Sequence, residues 1–309
     1  MSFSKFPHFV AFSLNNKEAY LKHFISSLRE PYCDFSLYDV SIWLNYNNDL
    51  EVCILNDNII FRFSNVLEDN KVRYTILGKN KLKDTLKKLS TYLFAAGEEL
   101  KLVYIPEEIA LTVKKLDIPG VQVEEDRKNN DYIYNVDSLV GLQGKQYENL
   151  RRRIAHFRKD NNDIQIKELD LTSRTVQKLV ATTVLKWSSR NDPENGEYPA
   201  IQKHLKLAKE LPVFAYGLYS NGVLININIF HLPPHKGWLI FNHIKCDYAF
   251  RDVYGFAFYS LFLMAQSKGI RWINFEQDLG LEGLRRIKTF FRPEKMLHRY
   301  TLAFTTELE

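Results

Sequence analysis

Apolar and polar positions alternate along this chain in two rhythms, and the same succession of rhythms occurs twice. In the first half, strand-like alternation over residues 51–63 predicts a β-hairpin turning at Asn56, Asp57 and Asn58. A strand follows at 72–77. Leu82, Leu86, Leu89 and Leu93 then recur at helical spacing, so a helix is predicted over 81–96, stopped by Gly97. A strand at 100–104 leads into a helix that opens with Pro106 and two acids, residue types that favour a helix start. In the second half, a hairpin over 213–231 turns at Ser220, Asn221 and Gly222. A strand at 237–245, a helix over 253–268 stopped by Gly269, a strand at 270–275 and a helix after Asp278 complete it. A terminal strand at 297–304 is expected with this half, because Tyr300, Leu302 and Phe304 alternate.

Between the halves lies a polar stretch, 117–131, that contains Pro119-Gly120. It predicts an N-terminal domain over 1–120, a linker over 121–131 and a C-terminal domain over 132–309. The periodicity supports an α/β or α+β chain of two mixed-sheet domains. Hairpin, strand, helix, strand, helix is the order of the GNAT acyltransferase fold, so the chain resembles a tandem-GNAT protein.

Composition limits the function classes. The chain has 309 residues, of which 45% are hydrophobic and 26% charged, so it is globular rather than disordered. Its 21 Phe and 17 Tyr suffice for substantial cores, and a net charge of +5 permits an anionic partner without demanding one. Cys33, Cys53 and Cys246 are scattered with no zinc-type spacing, so no metal is expected and a reduced, intracellular setting is. The N-terminus does not read as a signal peptide, and the longest apolar run, 254–265, is too short to cross a bilayer. The expectation is a cytoplasmic protein with no transmembrane segment.

Glu276 and Asp278 are the leading candidates for chemistry. A carboxylate at the C-terminal edge of a strand is placed to accept or orient a proton. Asp278 serves equally well as a helix cap, with Glu282 near the positive end of the dipole. Gly280 and Gly283 suit either close backbone approach to a ligand or tight packing. Arg285, Arg286, Lys288, Arg292 and Lys295 form a basic cluster that either holds an anion or pairs with Glu282 and Glu294. A basic helix is predicted over 145–159, with Tyr147, Arg151, Ile154 and Arg158 on one face. It reads as a phosphate contact or as a solvated charged face. In GNAT enzymes the loop between the strand corresponding to 237–245 and the helix that follows cradles coenzyme A phosphates. Here that position holds Arg251, Asp252, Val253, Tyr254, Gly255, Phe256 and Ala257. Tyr254 stands where the first glycine belongs, and Gly255 comes one residue late. His243 lies in the strand before this loop and is either packing or catalytic. Trp43 and Trp187 fit apolar faces. No Ser-His-Asp triad, Walker loop or Rossmann fingerprint is present.

Four segments resemble the family typified by the C-terminal domain of phosphatidylglycerol lysyltransferases. The most specific runs Asn274, Glu276, Asp278-Leu279-Gly280, Gly283-Leu284-Arg285, Lys288 and Pro293. A second runs from Asp131-Tyr132-Ile133-Tyr134 through Gly144-Lys145-Gln146-Tyr147 and Arg151 to Phe157. The third is His243-Ile244-Lys245-Cys246-Asp247 with Phe250-Arg251 and Tyr254, and the fourth surrounds Trp43. Arg153, Ala155 and Asp252 replace a His, an Asn and a Gly that are common in the family. The resemblance implies a tandem-GNAT fold related to Fem-type peptidyltransferases, which move an aminoacyl group from charged tRNA to an amine or hydroxyl. The lysyltransferases proper act on lipid and have a membrane-embedded half with no counterpart in this sequence, so a lipid substrate is not implied.

The sequence therefore leads to an acyl- or aminoacyltransferase working by direct attack of the acceptor. Its donor would be an acyl-CoA or an aminoacyl-tRNA, and its acceptor a small molecule or a peptide. Glu276, Asp278 and His243 are the expected catalytic groups. Arg251, Tyr254, Gly255, Gly280, Arg285, Lys288, Tyr147 and Arg151 are expected to bind donor or substrate. The alternative is a non-catalytic GNAT-fold protein that holds RNA or a nucleotide on its basic helix.

Overall fold

The computed structural model describes residues 3–64, 69–191 and 197–308. The chain forms two compact units, each built on its own seven-stranded sheet. The first unit takes in Met1–Asp131, Gln277–Leu284 and Met296–Glu309; the second takes in Tyr132–Glu276 and Arg285–Lys295.

The first sheet contains β1 (Val10–Ala11), β2 (Glu51–Leu55), β3 (Asn58–Ser64), β4 (Val72–Leu77), β5 (Lys101–Pro106), β6 (Val121–Glu125) and β14 (Arg299–Phe304), in the order β1-β2-β3-β4-β5-β14-β6. Its pairs are antiparallel except for β4 and β5. The β2–β3 hairpin closes over Asn56 and Asp57, both at positive φ (51° and 59°). Two successive left-handed residues twist the turn in the sense of its strands. Helices α1 (Lys17–Ser27), α2 (Leu37–Asp39), α3 (Leu82–Ala96) and α4 (Glu107–Leu116) belong to this unit. The four predicted leucines of α3 are buried, and Gly97 ends it at φ 65°.

The second sheet contains β7 (Asp131–Asn135), β8 (Ile164–Glu168), β9 (Val213–Ser220), β10 (Val223–His231), β11 (Trp238–Cys246), β12 (Trp272–Asn274) and β13 (Lys295–Leu297), in the order β13-β7-β12-β11-β10-β9-β8. The β9–β10 hairpin turns at Asn221 and Gly222, again both at positive φ. Strands β11 and β12 are parallel. The helices are α5 (Val136–Gly141), α6 (Glu148–Asp160), α7 (Arg174–Asn191), α8 (Glu197–Leu207), α9 (Val253–Ser267) and α10 (Glu282–Phe290). One core packs Tyr134, Phe258, Phe262, Phe275 and Phe291 ring against ring. Another packs Val180, Val184 and Trp187 with Ile201 and Leu205 against Ala215, Ile227 and Ile229. Trp43 is half-buried and stacks on Tyr46. No described helix is long and apolar enough to cross a membrane.

The units divide the chain differently from a cut at 121–131. Residues expected to link two domains instead form β6, at the edge of the first sheet. The terminal strand, expected with the second half, is β14 and lies between β5 and β6. Burial of Arg299 goes with this placement. Its side chain is fully buried in the first unit, with two nitrogens on Asp131 at 3.0 Å and its Nε on Asp34. The Tyr32 ring covers the guanidinium at 5.0 Å. The backbone N–H of Cys33 and the side chain of Gln277 donate to the same two acids.

Breaking this buried group strands two carboxylates. Arg299→Met is expected to cost about 3–5 kcal/mol at neutral pH, measured by urea unfolding, with a smaller loss near pH 5 where the orphaned acids can take up protons. Burial pushes the Asp34 carboxyl up to about 6, against the pull of Arg299. The folded chain thus keeps a proton that the unfolded chain releases, so this group's contribution falls as pH rises from about 4 to about 6. Asp34→Asn is expected to flatten that slope in unfolding curves collected across the same range.

Candidate active site

The site in the second unit begins where two parallel strands part. Strands β11 and β12 keep register for only three pairs, ending at Ile240 opposite Asn274. β12 stops there, while β11 continues to Cys246. The chain then turns through Glu276, at φ 56°, whose backbone N–H donates to the Asn274 side chain at 2.8 Å. Asn242, past the last paired position on β11, donates from Nδ2 to the Glu276 carboxylate at 2.7 Å. Its Oδ1 lies 2.9 Å from His231 Nδ1. A carboxylate only accepts, so the amide orientation is set and His231 Nδ1 must carry its proton. Burial pushes the His231 imidazole down to about 4 and keeps it neutral. Glu276 is therefore a half-buried carboxylate held from one side by a fixed amide.

Farther along β11, His243 and Lys245 meet a residue that the sequence did not single out. Glu197, at the start of α8, accepts from His243 Nδ1 at 2.8 Å and from the Lys245 ammonium. Desolvation opposes its charge, yet His243 and then Lys245 hold this carboxyl at about 2. The His204 ring lies 4.6 Å from that of His243; burial, then His243 and His231, push His204 far below the ordinary range. His243 is thus a buried neighbour of the partly exposed Glu197–Lys245 ion pair rather than a lone strand histidine. No local pattern marks Glu197, because its partners lie 46 and 48 residues away.

Beside this group, a cleft of about 390 Å³ opens at the start of α9. Arg153, Arg251 and Arg286 supply cations, Tyr248, Phe250 and Phe290 supply aromatic walls, and Val253, Tyr254 and Gly255 form the first helical turn. Helix starts present backbone N–H groups that suit anions. A Cβ added to Gly255 would meet Arg153 and Leu150 only at 3.7 Å, so packing alone does not require glycine there. Asp252 precedes the helix at φ 60° and lies 3.8 Å from Arg153, 3.7 Å from His156 and 3.6 Å from Arg251. The cleft is thus basic with one internal counter-charge. Burial, and then Cys246, Tyr248 and Glu197, raise the Tyr254 hydroxyl well above its ordinary value, so it stays a donor.

The cleft brings Arg251, Tyr254 and Gly255 together and adds Arg153 and Arg286. Tyr147 and Arg151 have other surroundings. Arg151 donates to the carbonyls of Leu142 and Gly144 at the end of α5, and Tyr147 is buried. Arg158 lies over the rings of Phe256 and Tyr259, so two arginines of the basic helix serve packing. Lys288 donates to the Phe275 carbonyl, and its own carbonyl accepts from Tyr134. Arg285 is exposed on α10. Asp278 and Gly280 belong to the first unit. There Asp278 is buried and accepts from the Gly280 N–H at 2.8 Å and from Arg127 at 3.2 Å, the bonds of a side chain that secures a turn. Among the described residues, no cluster of His, Cys, Asp and Glu is arranged to hold a metal.

Solved structures share this architecture. A crystal structure of a conserved protein of unknown function from Bacteroides thetaiotaomicron VPI-5482 aligns with a TM-score of 0.83 at 22% identity, over 96% of this chain and 99% of that one. L-PGS from Bacillus licheniformis aligns with a TM-score of 0.64 at 12% identity, over 99% and 94%. FemX aligns with a TM-score of 0.59 at 10% identity, over 98% and 97%. At these identities the likeness concerns the fold, a GNAT-like pair of mixed sheets. None of the curated proteins matches in sequence. The family described as phosphatidylglycerol lysyltransferase, C-terminal, matches residues 72–303, a span that takes in most of both sheets. The chain belongs to the phosphatidylglycerol lysyltransferase C-terminal family.

Proposed function

We propose that this protein is an aminoacyltransferase that moves an aminoacyl group from charged tRNA to an amine or hydroxyl acceptor. The observation that carries this reading is the parting of β11 and β12 at Glu276, in the same unit as a cleft bearing three arginines at the start of α9. Family membership supplies the reaction class, and the likeness to L-PGS and FemX accords with it. Arg153, Arg251 and Arg286, with the first N–H groups of α9, would hold donor phosphate. The acceptor attacks the ester carbonyl of the donor directly. Glu276, oriented by Asn242, takes the acceptor's proton. As the tetrahedral intermediate collapses, the aminoacyl–oxygen bond breaks and the tRNA leaves with its terminal hydroxyl restored. Glu276 is favoured over Asp278 because the Asp278 carboxylate already accepts from the Gly280 N–H of its own turn and from the Arg127 guanidinium.

The reaction is tested with lysyl-tRNA and other charged tRNAs as donors, offered with small amines, peptides and phosphatidylglycerol, and products detected by mass. Transfer from an acyl-coenzyme A alone would replace the donor in this reading. With an active pair in hand, Glu276→Gln is expected to lower kcat by roughly 10²–10⁴-fold while the melting temperature holds; unchanged turnover would remove Glu276 from the chemistry. Replacing Arg153, Arg251 or Arg286 by Ala is expected to raise the donor KM by about tenfold each, the loss of one charge-assisted contact. A KM that does not move in any of the three would place the donor elsewhere.

A further inference from the structure

We infer, on the reading that the cleft at α9 holds donor phosphate, that Asp252 selects the donor. Its carboxylate admits a phosphate with one negative charge and turns away the pyrophosphate of an acyl-coenzyme A. Among the described residues, Asp252 is the only acid lining the cleft, where Arg153, Arg251 and Arg286 supply the cations. Local structure does not account for an acid at this position. An Asp just before a helix ordinarily caps it, accepting from an N–H of the first turn. Asp252 precedes α9 directly yet makes no capping bond, because its backbone lies at φ 60° and ψ 10° instead of extended. That left-handed backbone is strained for a residue with a Cβ, whereas glycine adopts it freely and serves nearly as well before a helix.

The surroundings of the carboxylate account for it instead. The side chain is only 12% exposed, and bases approach it from α6 and from its own loop. Arg153 lies at 3.8 Å, His156 at 3.7 Å and Arg251 at 3.6 Å. These separations attract charge but are too long for hydrogen bonds, so the acid lowers the positive charge of the cleft without locking the guanidinium groups. The effect on a ligand is graded, because repulsion from a fixed carboxylate is proportional to the charge brought beside it. A phosphodiester of a tRNA end carries one negative charge. The pyrophosphate of coenzyme A carries one on each of its joined phosphates. Free energies add while affinities multiply, so a repulsion that weakens the phosphodiester by about threefold weakens the pyrophosphate by about tenfold, the square of that factor. Arginines alone would favour the more highly charged ligand; the carboxylate opposes that preference.

Affinities for coenzyme A and for a short RNA ending in CCA are measured by calorimetry, for the wild type, Asp252→Asn, Asp252→Gly and Asp252→Glu. Asn and Gly both tolerate the left-handed backbone, and melting temperatures check the fold. Asp252→Asn is expected to strengthen coenzyme A binding by about tenfold and RNA binding by about threefold, with the difference shrinking at high salt. Asp252→Gly is expected to act as Asp252→Asn does, and Asp252→Glu to keep the wild-type preference. Equal gains for both ligands, no gain, or a parallel loss would overturn Asp252 as the selector and leave the cleft as the donor site. If neither the wild type nor Asp252→Asn binds either ligand, the cleft holds no donor phosphate, and the role of Asp252 falls together with that of the three arginines.

Discussion

Two parallel strands that share only three paired positions leave one of them with an open edge, and the candidate site depends on that opening. Backbone polar groups in a sheet must find partners, and where a neighbouring strand ends the duty passes to side chains or solvent. Here the side chain of Asn274 takes up one such group. Asn274 receives the N–H of Glu276, and Asn242 steadies its carboxylate. A left-handed residue at 276 turns the chain away from β11. The same sequence that ends a strand therefore fixes an acid at its margin.

Charge is distributed unevenly around this opening. Toward α8, Glu197 pairs with the Lys245 ammonium and accepts from His243, so an acid and a base offset each other beside the strand. Toward α9, cations outnumber Asp252, and the cleft keeps a positive surplus. Buried pairs add little stability when their desolvation is counted, yet they fix geometry, and removing one partner is costly. The Glu197 group and the Arg299 group play this part in separate units, each joining segments far apart in sequence.

How much was legible in the sequence follows from the range of the forces involved. Both hairpins were, because Asn56-Asp57 and Asn221-Gly222 adopt left-handed backbone for local reasons. Helix α3 was, because four leucines and Gly97 define its face and its end. The loop before α9 was placed correctly by its position after a strand, and Arg251, Tyr254 and Gly255 do share a cleft. The partner of the terminal strand was not legible. Alternation of Tyr300, Leu302 and Phe304 specifies a strand but not its sheet, and the deciding residue, Arg299, looks from the sequence like any surface arginine. Nor was Glu197, whose role exists only through contacts with residues on another element. Arg151 misled because a basic residue that caps a neighbouring helix end is indistinguishable, in one dimension, from one that awaits a phosphate.

The link between His231 and Glu276 has a consequence for proton traffic. The two ionisable groups are joined through the side-chain amide of Asn242, and an amide transmits orientation but not protons. The imidazole therefore cannot drain or refill the carboxylate through this amide, and what passes between the two groups along this link is position rather than charge.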